Sequence, residues 1–194
     1  MTKLVYGVGF NDRKYPVFVN GAMTKSYNLW KSMLERCYSH KYHETRPTYL
    51  NCTVSDNFKQ YTYFHEWVLT QIGYDAVGFH LDKDIIHRRN TTYSENTCAF
   101  VPSNINCFFS DSRSCRGKYL IGVKFHQGRS RAFETRCWSD GRRKSLGYFQ
   151  TSDEAYQAYK TYKEQLCKDL ANKWKEQIDP RVYSAMMLWT VENF

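Results

Sequence analysis

Residues 122–166 read GVKFHQGRSRAFETRCWSDGRRKSLGYFQTSDEAYQAYKTYKEQL. Short stretches with strand-like side chains at about 119–126, 131–138 and 143–149 are separated by Gln127-Gly128 and Asp140-Gly141. Such glycine dipeptides supply the positive φ of a tight hairpin turn, so the stretches predict three antiparallel strands. Thr151 followed by Glu154 makes a capping box, in which each side chain satisfies an amide at the helix start. Ala155, Tyr159, Tyr162, Leu166, Leu170 and Trp174 then recur at steps of three or four, the apolar side of a long helix. Asp179-Pro180 opens a last helix with Val182, Ala185, Met186 and Trp189. The segment therefore predicts a three-stranded sheet packed on a long helix, within an α+β chain.

Charge singles out the same segment. Residues 112–149 hold ten basic and two acidic side chains, whereas the other 156 residues hold 18 basic and 17 acidic ones. Almost all of the net charge of +9 is local. A basic patch on folded strands is the footprint of a nucleic-acid binder, because neutralised phosphates release condensed counterions. Lys124, Arg129, Arg131, Arg136, Trp138, Arg142, Arg143 and Lys144 are the candidate contacts. Arginine can read guanine bidentately, and lysine mostly anchors phosphate.

Upstream, residues 1–20 predict an irregular or β-rich lead-in. A helix starts at Thr24 or Ser26 as N-cap, with Tyr27, Trp30, Met33, Leu34, Cys37 and Tyr38 at helical spacing. Pro47 sits in the following loop, and Ser55 caps a second helix bearing Phe58, Tyr61, Phe64, Val68 and Leu69. Gly73 and Gly78 bound a turn. Phe79 to Ile86 alternates as a half-buried strand, 87–96 is a polar loop, and Cys98–Val101 is a short strand ended by Pro102. Ser103 caps a short helix through Asn106 and Phe109. Ser110–Lys118 is a Ser/Arg/Gly linker, which gives domains 1–110 and 111–194. His80, Asp82 and Asp84 share one strand face, either as a metal-binding trio or as an ordinary surface row.

Composition excludes several classes. Hydrophobic residues at 42% permit a packed core, and no apolar run approaches the ~20 residues of a membrane span. The N-terminus lacks an apolar signal region, so a soluble cytoplasmic protein is expected. The seven cysteines (37, 52, 98, 107, 115, 137 and 167) include no C-x-x-C pair. They read as reduced thiols; Cys107 and Cys115 with His87 or His126 would be the alternative, a zinc site.

Residues 81–106, LDKDIIHRRNTTYSENTCAFVPSNIN, resemble the ββα-metal core of His-Asn-His (HNH) endonucleases. The resemblance implies Asp82 as a metal ligand, Asn90 as the loop brace, and Asn106, or else Asn104, as the helix ligand. It implies Mg²⁺ or Mn²⁺ as the cofactor of any cleavage. The position of the general base holds Lys83, and a protonated lysine of pKa about 10.4 cannot take a proton from water. Asp84, His80 or His87 would have to substitute. Residues 122–166 resemble the APETALA/ethylene-response-factor type of DNA-binding domain, through Gly122-Val123, the basic hairpin, Leu146-Gly147-Tyr148-Phe149 and the helix start. The order of parts over residues 24–190 resembles a phage family of HNH-type, homing-endonuclease-like proteins. That resemblance implies a phage or mobile-element protein of the bacterial cytoplasm that binds double-stranded DNA sequence-specifically. It would act as a regulator or repressor with lost or weak cleavage, or else as a metal-dependent homing endonuclease or nickase. A structured-RNA binder is a third reading. The apolar C-terminal helix either caps its own domain or forms a homodimer.

Overall fold

A computed structural model describes residues 4–110, 118–139 and 141–192. The chain is α+β and forms two compact units, Met1–Asn106 with Gln177–Val182, and Cys107–Glu176 with Tyr183–Phe194. The C-terminal stretch thus contributes to both units, which a single boundary at 110/111 does not anticipate. Most of the expected linker, residues 111–117, lies outside the described residues, as does Asp140 of the expected turn.

In the first unit, helix α1 spans Lys25–Tyr38 and buries Trp30, Met33, Leu34 and Cys37. Thr24 occupies its cap position without a side-chain cap bond. Helix α2 (His40–Thr45) follows, capped by the Ser39 hydroxyl, and Pro47–Tyr49 makes a 3-10 turn where a loop was expected. Helix α3 runs over Tyr61–Leu69 and starts later than Ser55. The reason is local. Phe10 N–H donates to the Lys59 carbonyl and Tyr61 N–H to the Phe10 carbonyl, so the chain is extended at this point. The Ser55 hydroxyl instead accepts from Phe58 N–H within a turn. Phe58, Tyr61, Phe64 and Val68 are buried as expected, and Leu69 is exposed. Trp30 Nε1 donates to the Phe58 carbonyl at 2.7 Å, which pins the turn to α1.

Three short pairings complete this unit among the described residues, the first an antiparallel hairpin of Phe18–Val19 with Ala22–Met23. Thr53–Val54 and Thr92–Tyr93 pair in parallel inside stretches read as loop. Phe79–Asp82 and Ala99–Pro102 pair antiparallel, and helix α4 (Ser103–Phe109) follows directly. Arg181 closes the unit from the C-terminal side. Paired with Asp179, its guanidinium donates to the carbonyls of Glu95, Asn96 and Cys98.

The second unit is a three-stranded antiparallel sheet, Val123–Phe125, Phe133–Ser139 and Arg142–Phe149, backed by the long helix α5 (Ser152–Trp174). The Thr151/Glu154 capping box is formed. Tyr156 and Tyr159 of α5 pack with Cys137 of the sheet. Gly122 is required here: its φ is +79°, and a β-carbon would fall 2.2 Å from the Tyr159 ring. The last helix, α6, spans Pro180–Met187. Among the described residues no helix is long and apolar enough to cross a membrane.

In the first unit the buried Ser26 hydroxyl lies 2.8 Å from His65 Nδ1 and 3.1 Å from the Tyr61 hydroxyl. Burial pulls the His65 pKa below its ordinary value, against the pull of Glu66. The unfolded chain, with a histidine near 6.5, therefore binds a proton more readily than the folded one. Stability from neutral His65 is complete above about pH 6.5 and is lost as pH falls through the lower folded value. Thermal unfolding from pH 7.5 down to about 5 should show a falling midpoint, with a shallower decline in His65→Gln.

Candidate functional site

Two places carry the residues singled out by the sequence: the hairpin around Asp82 and the outward face of the three-stranded sheet. The strand Phe79–Asp82 is shorter than the alternation to Ile86 predicts. Asp82 ends it, because its Oδ1 accepts from the backbone N–H groups of Asp84 (2.7 Å) and Ile85 (2.8 Å). Such an Asx turn offers the backbone an alternative to the strand ladder. Burial pushes the Asp82 carboxyl above its usual range, opposed by those two amides.

Lys83 is turned inward and is only 7% exposed. Its Nζ donates to both carboxylate oxygens of Asp84, at 2.6 and 2.7 Å, and to the Asn90 carbonyl at 3.0 Å. It also lies over the Tyr93 ring, 5.6 Å from the centroid. Burial pulls its pKa down, but the hydrogen bond and charge of Asp84 outweigh this and hold it above the ordinary lysine value. It cannot accept a proton near neutral pH. Asp84, a candidate substitute, is bound to that same cation. His80 Nε2 lies 2.9 Å from the Ser103 hydroxyl, which itself donates to the Gly78 carbonyl. The expected His80, Asp82 and Asp84 row is therefore not assembled, since Asp84 lies beyond the strand.

Asn90 braces this loop. Its Nδ2 donates to the carbonyls of Lys83 (2.8 Å) and Thr92 (2.6 Å), and its Oδ1 accepts from Thr92 N–H at 3.2 Å. Asn106 is half-buried on α4. Among the described residues no three His, Cys, Asp or Glu side chains come together as metal ligands. The resemblance leaves one carboxylate and one amide for a divalent ion. Magnesium is commonly held by one or two carboxylates plus substrate phosphates, so this donor set fits such an ion only together with a bound phosphate.

On the sheet, register decides which cations act together. Lys124 pairs with Glu134, Glu134 with Tyr148, Arg136 with Ser145, and Trp138 with Arg143. These lie on the face away from α5, where Trp138 is 60% exposed. Arg129, in the turn after Val123–Phe125, sits over the Tyr148 ring, 5.0 Å from its centroid. Arg131 is exposed in the same turn. Arg142 pairs with Ser139 and Lys144 with Cys137, which puts both on the opposite, helix-side register. Lys144 Nζ there lies 4.9 Å from the ring centroid of Tyr162 on α5. The eight candidates therefore do not form one surface. A bulge opposite Thr135/Arg136 leaves Leu146 as the additional residue on the last strand.

Glu134 was not among the candidates that the sequence pointed to. It is 1% exposed although it belongs to the outward face. Arg136 Nε donates to its Oε1 at 2.7 Å, and His126 Nε2 lies 2.8 Å from its Oε2. The Tyr148 hydroxyl adds to the pull of these partners on its charge. Burial pushes the Glu134 carboxyl up, but these partners outweigh burial and hold it below the usual carboxylate range. A lone acid two residues before Arg136 in a basic strand was the available signal.

No family of known proteins, no curated protein and no solved structure matches the chain.

Asn90→Ala removes three hydrogen bonds to backbone groups of the loop. At roughly 1 kcal/mol each, denaturant unfolding should show a loss of about 2–3 kcal/mol. A loss under about 0.5 kcal/mol would mean that the loop holds itself without Asn90.

Proposed function

We propose that this protein binds double-stranded DNA sequence-specifically through the outward face of its three-stranded sheet, as a regulator that does not efficiently cleave what it binds. The observation that carries this reading is the in-register group Lys124, Arg136, Trp138 and Arg143, all four exposed on the face opposite α5. A two- or three-stranded ribbon fits the major groove, where arginine has bidentate acceptors on guanine. Lys and Arg at its margins neutralise phosphate, and the exposed indole adds apolar contact.

The case against efficient cleavage rests on Lys83. Hydrolysis of a phosphodiester needs a group that takes a proton from water. The position for that base is occupied by a cation held by Asp84 and the Asn90 carbonyl. The second reading is a nuclease dependent on Mg²⁺ or Mn²⁺. It is favoured by the layout of the strands Phe79–Asp82 and Ala99–Pro102 and of α4 as hairpin and helix, with Asn90 bracing the loop between the strands. In that reading Asp82 and Asn106 would hold the ion. The ion would stabilise charge on the scissile phosphate and leaving oxygen.

Purified protein incubated with duplex DNA in Mg²⁺ or Mn²⁺ should give a sequence-dependent gel shift and no nicks. Cleavage that disappears in Asp82→Ala would reverse the order of the two readings. Tighter binding to structured RNA than to duplex DNA would count against both.

The two sheet faces should also separate in salt titrations. Arg136→Ala and Arg143→Ala should each lower the slope of log affinity against log salt by about one for every phosphate that the variant no longer neutralises. Arg142→Ala and Lys144→Ala should leave it nearly unchanged. Equal effects from all four would mean that the outward face is not the one on DNA.

A further inference from the structure

The buried carboxylate of Glu134 is out of place on a surface meant only to attract phosphate. A basic face gains affinity from every cation and loses it with every acid, because the attraction is largely sequence-independent charge neutralisation. An acid could be retained there as a direct base reader, since carboxylates accept from the cytosine amino group. Glu134 is not available for that role: it is covered, and its oxygens already face Arg136 and His126.

The geometry points to Glu134 as a positioning residue that sets the arginines of this face for base recognition; this rests on the duplex-DNA reading above. Its partners come from the edge of the first strand (His126), its own strand (Arg136) and the third strand (Tyr148), so one carboxylate ties the face together. Arg136 is held through Nε, and the side chain stays 46% exposed. A guanidinium fixed at Nε keeps its two terminal nitrogens for a bidentate acceptor pair, and its planar fork then has a set direction. Tyr148, the cross-strand partner of Glu134, is the platform under Arg129. Orientation fixed before binding reduces the ordering cost of the correct contact, and a wrong base gains nothing from it. Glu134 therefore lowers general attraction and raises discrimination.

The two effects have opposite signs, which a merely structural role would not produce. The full-length wild-type protein is used to enrich a duplex from a random-sequence pool, and a scrambled duplex of equal length serves as comparator. Glu134→Gln should bind the scrambled duplex as well as wild type or better, while its preference for the enriched duplex falls by about tenfold. In the free wild-type protein the Arg136 Nε–H should give a distinct, slowly exchanging NMR signal that Glu134→Gln loses.

Arg136→Lys removes the guanidinium that Glu134 holds and so sets the ceiling on the loss that Glu134→Gln can cause, and a wild-type protein without the slowly exchanging Nε–H signal would overturn the role even if Glu134→Gln unfolds. Arg136→Lys should lose at least as much of the preference, and the double variant should lose no more than Arg136→Lys alone. Unchanged preference in either variant, or additive losses, would overturn the positioning role while leaving duplex binding intact. If the wild-type protein enriches no duplex sequence at all, the duplex reading fails, and the positioning role with it.

Discussion

A β-strand sends successive side chains to opposite faces, and in the second unit one of those faces is taken by α5. Tyr159 comes so close to the sheet that residue 122 has no room for a side chain. Thr135 and Cys137 are committed to that covered side, and both are buried. Their neighbours in the same strand, Glu134, Arg136 and Trp138, must then face away. The helix thus determines which cations stand together, and it does so through packing rather than charge. The run Arg142-Arg143-Lys144 shows this most plainly. Three consecutive cations in a strand cannot share a face, so Arg143 joins Trp138 while Arg142 and Lys144 point to the helix side.

Lys83 shows a different use of a cation. Burying an ammonium is costly unless it is paired and hydrogen-bonded. Here a carboxylate, a backbone carbonyl and an aromatic ring surround it. Asn90 holds the loop that supplies that carbonyl and bonds back to the carbonyl of Lys83 itself. The two residues therefore hold each other's backbone, and the Asx turn at Asp82 makes room by ending the strand early. A lysine in this setting is a structural cation. Removing Asp84 alone would leave it buried with one charge partner fewer, which is more disruptive than never having had the pair.

Much of this was legible in the sequence. The capping box at Thr151, the three strands, the amphipathic α1 and the α+β class all follow from local chemistry, and the structure has them. What was not legible depended on partners distant in the chain. The start of α3 moved because Phe10 takes the backbone groups of Lys59 and Tyr61. The parallel pair of Thr53–Val54 and Thr92–Tyr93 is two residues long in each strand, too short to leave a periodic signal. The alternation from Phe79 to Ile86 did look like one strand, but an aspartate side chain that competes for the next amides ends it at Asp82. The role of Arg181 could not be read either, because its carbonyl partners lie more than 80 residues away.

Charge singles out residues 112–149, and folding decides how that charge is arranged. The excess over residues 112–149 reads in the sequence as one basic patch on folded strands. Folding divides it between two faces and places a buried acid within the outward one. An attractive surface alone can hold DNA without choosing where, since phosphates are the same at every step. Choice requires side chains whose directions are fixed before the bases arrive, and direction is costly for long, flexible arginines. In the proposed recognition of DNA, a carboxylate bonded to Arg136, on a face shared with Tyr148 and Arg129, would supply that direction at the expense of some attraction. The informative residue of the basic sheet is therefore its one acid among the described strands, Glu134.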